Sequence, residues 1–483
     1  MPVERLPIEP LVSKHLVQFF SAEDLDRLQE ATFHVLEHTG VQFPGGKALK
    51  VFEEHGAKVA HDTGIVKLPP ELVRNAMATV PRYYRLGARD PKLGFTLQEG
   101  HTYMGVDGCG VEVVDFETGQ LRPSTKADVG AMAKIVDYLG STAFYWPMVG
   151  SQDYGRLSPL HDLDACWNNT QKHIKTETLL GEVATRYAIE MATVVAGSKE
   201  SLRENPLLSV LICTIAPLVQ DKEGIEGAML LAEEGIPLTF MAMPTMGTTA
   251  PATQAGAFVV ADAEIISATV LMQLIQPGTP VSHSLLQGWI DPRNGKYLAY
   301  PMDGRVRFGP TQIAHHWGMP SYGGAFGTES KDPGTWQAAA DVALDPLLLG
   351  LAGCEWATGI GLNRTFTLLH PEAIILDDEL YHRARYALAE EQVTLDTIAL
   401  DVIDAVGPGG HYLSQRHTRQ HLRNTVKLGL THVLDQDGKY RHPREVAREK
   451  FDWILNNHQP PPVEAQQQAE LKKIIACAEQ EIS

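Results

Sequence analysis

From about residue 143 onward, short apolar runs alternate with longer stretches in which apolar residues recur every three or four positions. The runs at 144–149, 173–177, 209–214, 238–242, 281–286 and 321–325 have the length and turn-rich flanks of strands, with further candidates at 355–358 and 365–369. Between them, 182–196, 222–234, 254–274, 310–317 and 335–351 carry helical spacing. Such alternation favours parallel strands joined by helical crossovers, and about eight strands favour closure into a (β/α)8 barrel over an open sheet. Asp345-Pro346 interrupts the last helical stretch, so the proline either kinks it or starts a new helix.

The first hundred residues have a different character. Ser21-Ala22-Glu23-Asp24 has the form of an N-cap with acidic charge in the first turn, and Leu25, Leu28, Ala31 and Leu36 follow at roughly helical spacing up to Gly40. Lys67-Leu68-Pro69-Pro70 reads as a strand end leading into a helix with proline in its first turn. Past the barrel, 377–407 is again helix-like, Gly407-Pro408-Gly409-Gly410 breaks it, and Gln459-Pro460-Pro461-Pro462 is a stiff linker. The expected organisation is a mainly helical N-terminal region over 1–100, a barrel over 101–425 and a C-terminal helical tail over 426–483.

Composition narrows the function classes. Hydrophobic residues make up 44% and charged residues 21% of the 483, as in an ordinary globular enzyme. Lys and Arg number 41 against 59 Asp and Glu, and a formal charge of −18 disfavours nucleic acid and anionic membrane as partners. The most apolar stretch, 255–275, is interrupted by Asp262 and Glu264, and the N-terminus lacks a basic segment with an apolar core; neither a membrane span nor a signal peptide is expected. Five cysteines without CxxC spacing point to reduced thiols and a cytoplasmic location. His161, His173, His411 and His417 lack metal-ligand spacing, so no metal is expected.

A barrel enzyme places its chemistry on the loops after its strands. Those loops carry Ser151, Gln152 and Asp153; Asn169-Thr170-Gln171-Lys172-His173; Pro244-Thr245-Met246-Gly247-Thr248-Thr249; His283, Gln287, Trp289, Asp291 and Arg293; and the stretch from Gly323 to Lys331. The run Pro244 to Thr253, preceded by Glu233-Glu234-Gly235-Ile236-Pro237, resembles a barrel loop of the trimethylamine methyltransferase family. So do Val114-Asp115 with Thr118-Gly119 and Arg122-Pro123, Asn169 to His173, Asp291-Pro292-Arg293-Asn294-Gly295, and Gly407 to His411 with His417-Thr418. Their shared order spans residues 22 to 425. The resemblance implies a TIM-barrel methyltransferase that passes a methyl group from an amine to the Co(I) corrinoid (cobalamin) of a cognate corrinoid protein, with no tightly bound cofactor of its own. Archaeal trimethylamine enzymes of the family carry pyrrolysine; this chain has only standard residues, which implies the non-pyrrolysine branch acting on quaternary amines such as glycine betaine. A homo-oligomer is expected.

The chemistry agrees with that branch. A quaternary nitrogen leaves as a neutral tertiary amine, so no acid must protonate it; the site must orient the donor and cage a cation that has no N–H to donate. Candidate cage aromatics are Tyr145, Trp146, Trp289, Tyr322, Trp356 and Phe366, with Asp291 and Glu329 to offset the charge and Arg293, His283 or Lys331 to hold a betaine carboxylate. Glu329-Ser330-Lys331, Thr335, Trp356 and Arg364 depart from the family pattern around this pocket and so bear on the substrate. The alternatives are another barrel enzyme, a decarboxylase or hydrolase acting on a small cation, and a non-catalytic betaine-binding protein.

Overall fold

The computed structural model describes residues 3–177, 179, 181–298, 304–425 and 427–482. Eight strands form its centre: β1 (His101–Val106), β2 (Phe144–Tyr145), β3 (His173–Thr176), β4 (Leu208–Ile215), β5 (Leu238–Ala242), β6 (Val281–Leu285), β7 (Tyr322–Gly324) and β8 (Trp356–Ile360). Each pairs in parallel with the next, β6 meeting β7 through a His283–Ser321 bridge, and β8 pairs in parallel with β1. The ring is therefore a closed (β/α)8 barrel. Two sequence assignments change. The first strand of the ring is His101–Val106, which lies upstream of the regular alternation; the run at 365–369 is outside the ring, where Leu368–Leu369 pairs with Glu112–Val114 and Leu362–Asn363 in a separate four-stranded sheet.

Three helices precede the barrel: α1 (Ala22–His34), α2 (Gly46–Glu54) and α3 (Pro70–Met77). The Ser21 hydroxyl and Asp24 carboxylate form a reciprocal capping box on α1, and Gly40, at φ 83°, lets the chain turn away after it. Helices α4 (Lys126–Tyr138), α5 (Ser158–Asn169), α6 (Gly181–Ala196), α8 (Lys222–Glu233), α9 (Gln254–Ile275), α10 (Phe308–His316), the pair α11 (Trp336–Val342) and α12 (Asp345–Ala352), and α13 (Ala373–Leu388) follow the strands in turn, with the short α7 (Lys199–Glu204) before β4. Pro346 lies in the first turn of α12, so the interruption at Asp345-Pro346 starts a new helix.

Helix α9 is apolar nearly all round because protein covers both of its sides: the barrel on one, α1, α2 and α3 on the other. It is long and apolar enough to cross a membrane, yet 78% of that window is buried within the protein. Its two acidic residues are bonded: Asp262 accepts from Thr32, Trp317 and His283, and Glu264 accepts from Thr214 and the Leu218 N–H. The C-terminal helices α17 (Pro443–Asn457) and α18 (Ala465–Ile482) return to the barrel, α17 against α4 and α13, α18 against α6, burying Phe451, Ile454, Leu471 and Ile474.

The segment Asn169 to His173 forms a structural knot at the entry to β3. Lys172 Nζ donates to the Val136, Leu139 and Thr142 carbonyls at 2.6 Å each, closing the C-terminal end of α4, where a cation also meets the negative end of the helix dipole. Thr170 and the Gln171 N–H donate to Asp137, which also bonds His458 beyond α17. His173 bridges the Gly87 carbonyl and the Ser209 hydroxyl.

Candidate active site at the barrel mouth

Side chains alternate along a strand, so every second residue of β1 to β8 points into the ring. Phe144, Lys175, Leu211, Thr239, Ser282, Tyr322 and Trp356 fill its middle, and Phe95 closes the lower end by packing on Tyr103 and Phe144. Lys175 is fully buried; its side-chain nitrogen lies 4.3 Å from the Tyr322 ring centre and 4.1 Å from that of Trp356, and it donates to Thr239 Oγ1 at 2.8 Å. Burial drives the Lys175 pKa well below the ordinary 10.5. The native chain then binds fewer protons than the unfolded one, so this lysine makes stability rise as pH climbs toward 10.5. Denaturant titrations of Lys175→Met should lose that rise; an unchanged slope would show that the amine is charged in the barrel.

Two residues further along the strands, or just past their ends, Asp107, Trp146, Glu177, Cys213 and Met243 line a cavity of about 230 Å³ at the C-terminal mouth, together with Gln287, Tyr297, Arg307, Thr365 and Phe366. Gly108 is essential to its shape, because a Cβ there would lie 1.9 Å from the Trp146 indole. Arg364, Thr365 and Phe366 form a left-handed turn at φ 50°, 52° and 62° that brings the last two over the cavity. Bonds from the Arg364 and Thr365 N–H groups to the Ser330 and Thr328 carbonyls hold this strained turn, as does the Arg364 contact with Glu112.

The electrostatics are those of an acidic, partly dehydrated pocket. Burial raises Asp107 to about 6 against the opposing pull of the Cys109 and Gly108 N–H groups. Glu177 rises to about 7, chiefly through desolvation and then through the negative charges of Asp107 and Asp162, although its side chain remains accessible through the mouth. Gln287 is buried with both amide atoms unpartnered. Arg307 forms a bidentate pair with Asp345 at the cavity wall, and Asp345 also accepts the Phe326 N–H at 2.9 Å. Among the described residues no group of three or more His, Cys, Asp or Glu side chains is placed to hold a metal ion.

The nine expected site residues separate into five places. Trp146 and Phe366 lie on the cavity wall. Tyr322 and Trp356 sit below it, enclosing Lys175, so their faces already hold an internal amine. Tyr145 and His283 have the opposite strand parity and face the helices: the Tyr145 hydroxyl donates to the Val129 carbonyl, and His283 bonds Asp262 at 2.9 Å. Asp291 and Arg293 pair with each other in the loop of the hairpin formed by Trp289–Ile290 and Tyr297–Leu298, with Arg293 exposed, and Glu329 accepts from Thr365 on the outer rim. Of the residues that depart from the family pattern, Thr335 caps α11 and Arg364 secures the left-handed turn.

This division predicts different responses in two tryptophans. Trp146→Ala should weaken binding of a small organic cation by about 0.5–2 kcal/mol relative to its neutral isostere. Trp356→Ala, which also removes a 2.9 Å bond to Ser282, should instead cost about 3–5 kcal/mol of stability. Paired ligand titration and chemical unfolding of the two variants check this; an equal selectivity loss in both would move the cation site down into the barrel.

Residues 7–483 match the family model described as trimethylamine methyltransferase. The chain is 29% identical over 468 residues to a trimethylamine methyltransferase of Desulfitobacterium hafniense, covering 96% of this chain and 94% of the relative. It is 27% identical over 474 residues to the trimethylamine methyltransferase of Methanosarcina barkeri, covering 96% and 95%. A glycine betaine methyltransferase of Desulfitobacterium hafniense is 26% identical over 475 residues, covering 95% and 97%.

Proposed function

The chain belongs to the trimethylamine methyltransferase family, and from that premise we propose that it moves a methyl group from a quaternary amine, glycine betaine or a related betaine, to the Co(I) corrinoid of a cognate corrinoid protein. The observation that carries the reading is the mouth cavity, in which two carboxylates, Asp107 and Glu177, stand with Trp146 and Phe366 around one small space. A cavity of about 230 Å³ has room for a small organic cation such as a betaine. Carboxylates and ring faces are what a cation without N–H groups requires. The unpartnered Gln287 amide offers a donor to the carboxylate at the betaine's other end.

When bound, the corrinoid supplies the Co(I) nucleophile, which takes the methyl group and leaves the nitrogen its electron pair. The protein's share of the work is orientation and charge. Asp107 and Glu177 hold the ammonium, Trp146 and Phe366 exclude water from its methyl groups, and no proton has to be delivered because the departing tertiary amine is neutral. A shallower groove walled by Gly108, Gly110, Gly150 and Gly155 shares Cys109, Trp146 and Glu177 with the cavity, giving a flat ring room to approach. We place the enzyme in the cytoplasm, where its free cysteines stay reduced and a Co(I) acceptor can be maintained.

The test is product analysis after incubation with cob(I)alamin and, separately, trimethylamine, glycine betaine and other betaines. The expected result is methylcobalamin and one equivalent of demethylated tertiary amine from a betaine. Transfer from trimethylamine alone, or from none of them, would overturn the quaternary-amine assignment.

A further inference from the structure

Between α13 and α17 the chain leaves the barrel as three short helices: α14 (Leu395–Ile398), α15 (Leu400–Val406) and α16 (Arg416–Thr425). Among the described residues none of the three packs extensively against another element. These helices and the turns beside them nonetheless present large apolar side chains to solvent: Val393 is 77% exposed, Leu395 83%, Leu413 77% and Leu428 71%, with Leu400 and Leu422 at half or more. A monomer surface rarely carries so many large apolar side chains in one stretch without a partner. The arm is also divided by charge. Its first half bears exposed Glu391, Asp396, Asp401 and Asp404, its second half exposed Arg416, Arg419 and Lys427. His421 Nε2 lies 3.8 Å from Asp396 Oδ2, so the two halves lie close together as a hairpin.

We propose that residues 390–428 are a dimerisation arm, covered by the same arm of a second copy of this chain. A two-fold axis brings residue i of one copy to residue j of the other and residue j to residue i. Two such hairpins can therefore pack as four helices with each acidic half beside the other copy's basic half, the leucines meeting at the centre. Size agrees: a stable interface takes about 800 Å² from each partner, supplied by roughly 20–30 residues, which is the scale of this segment. A partner of uniform charge would match only one half of the arm.

Sedimentation of the full-length chain at micromolar concentration tests the proposal. The wild type should sediment as a dimer or a larger even assembly. Leu395→Asp with Leu413→Asp should shift it to monomer while the circular dichroism spectrum stays unchanged, because both side chains are exposed in the single chain. Arg419→Glu should weaken association severalfold, and adding Asp401→Arg should restore it, a rescue that misfolding would not show. A monomeric wild type, or an assembly unaffected by the paired leucine substitutions, overturns the proposal. If the wild type is monomeric and the leucine variant loses transfer to the corrinoid protein but keeps transfer to free cob(I)alamin, the arm belongs to the acceptor protein and not to a second copy.

Discussion

Replacing Glu177 by Gln, or Asp107 by Asn, is expected to lower kcat/KM for a quaternary amine by roughly 30- to 5,000-fold, since removing one partner of a desolvated charge pair costs about 2–5 kcal/mol and each 1.36 kcal/mol is tenfold. The pH profile should change with it. In the free enzyme the two carboxyls titrate as a coupled pair around 6 to 7, so wild-type kcat/KM rises through that window as negative charge appears in the cavity. Glu177→Gln should remove the upper part of the rise. Stability moves the other way: groups whose folded pKa is raised contribute their stability at low pH and lose it as pH climbs through the folded value. Both variants should thus be at least as stable as the wild type at pH 8 while binding less well. A variant that loses activity and stability together would show that these carboxylates hold the fold, and steady-state kinetics with chemical unfolding distinguishes the two outcomes.

A loss of stability as large as that at Trp356 is expected at Asp137. This carboxylate is fully buried on α4 and accepts from Thr170, the Gln171 N–H and His458, so it ties the first barrel helix to β3 and to the C-terminal segment. Asp137→Ala leaves those donors without their partner and Lys172 and Arg5 without a nearby negative charge, and should cost about 3–5 kcal/mol in denaturant unfolding. The sign of its pH dependence is the usual carboxylate one. Its bonds to His458 and its neighbouring cations hold the pKa below 3.8 despite burial, so the stabilisation is present at neutral pH and is lost as pH falls through the folded value. The variant should show a flatter acid limb. A loss under 1 kcal/mol would mean that the knot at Asn169 to His173 is held by Lys172 and its three carbonyls alone.

The barrel was legible from the alternation of apolar runs, but not the identity of all its strands. His101–Val106 is interrupted by Gly105 and lies ahead of the repeating pattern, while the stretch from Thr365 to Leu369 has the composition of a strand and the backbone of a left-handed turn at its start. Periodicity alone does not separate such short runs. The missed strand hid Asp107 and Cys109, which follow it directly. Glu177 closes the apolar run of β3 in the sequence and so looks like part of the strand, which ends at Thr176, and nothing in the sequence marks a role for Gln287. Strand parity decided the rest: Phe144 and Trp146 face inward while Tyr145 between them does not, and Ser282 faces the barrel interior while His283 beside it does not. A one-residue choice of register moves a side chain from the cavity to the helical layer. Tyr322 and Trp356 had the right parity, but the burial of Lys175 between them depends on three strands at once.

The measurement closest to the central claim is a calorimetric titration of the wild-type chain with glycine betaine or a related betaine and, in parallel, with its uncharged tert-butyl isostere, repeated with the Asp107→Asn and Glu177→Gln double variant. If the mouth cavity is the cation site, the wild type should prefer the betaine by at least roughly 30-fold, the lower bound for losing one desolvated charge partner, and the double variant should keep only the smaller preference that the ring faces of Trp146 and Phe366 supply. Equal affinities in the wild type, or a preference undiminished by removal of both carboxylates, would contradict the account.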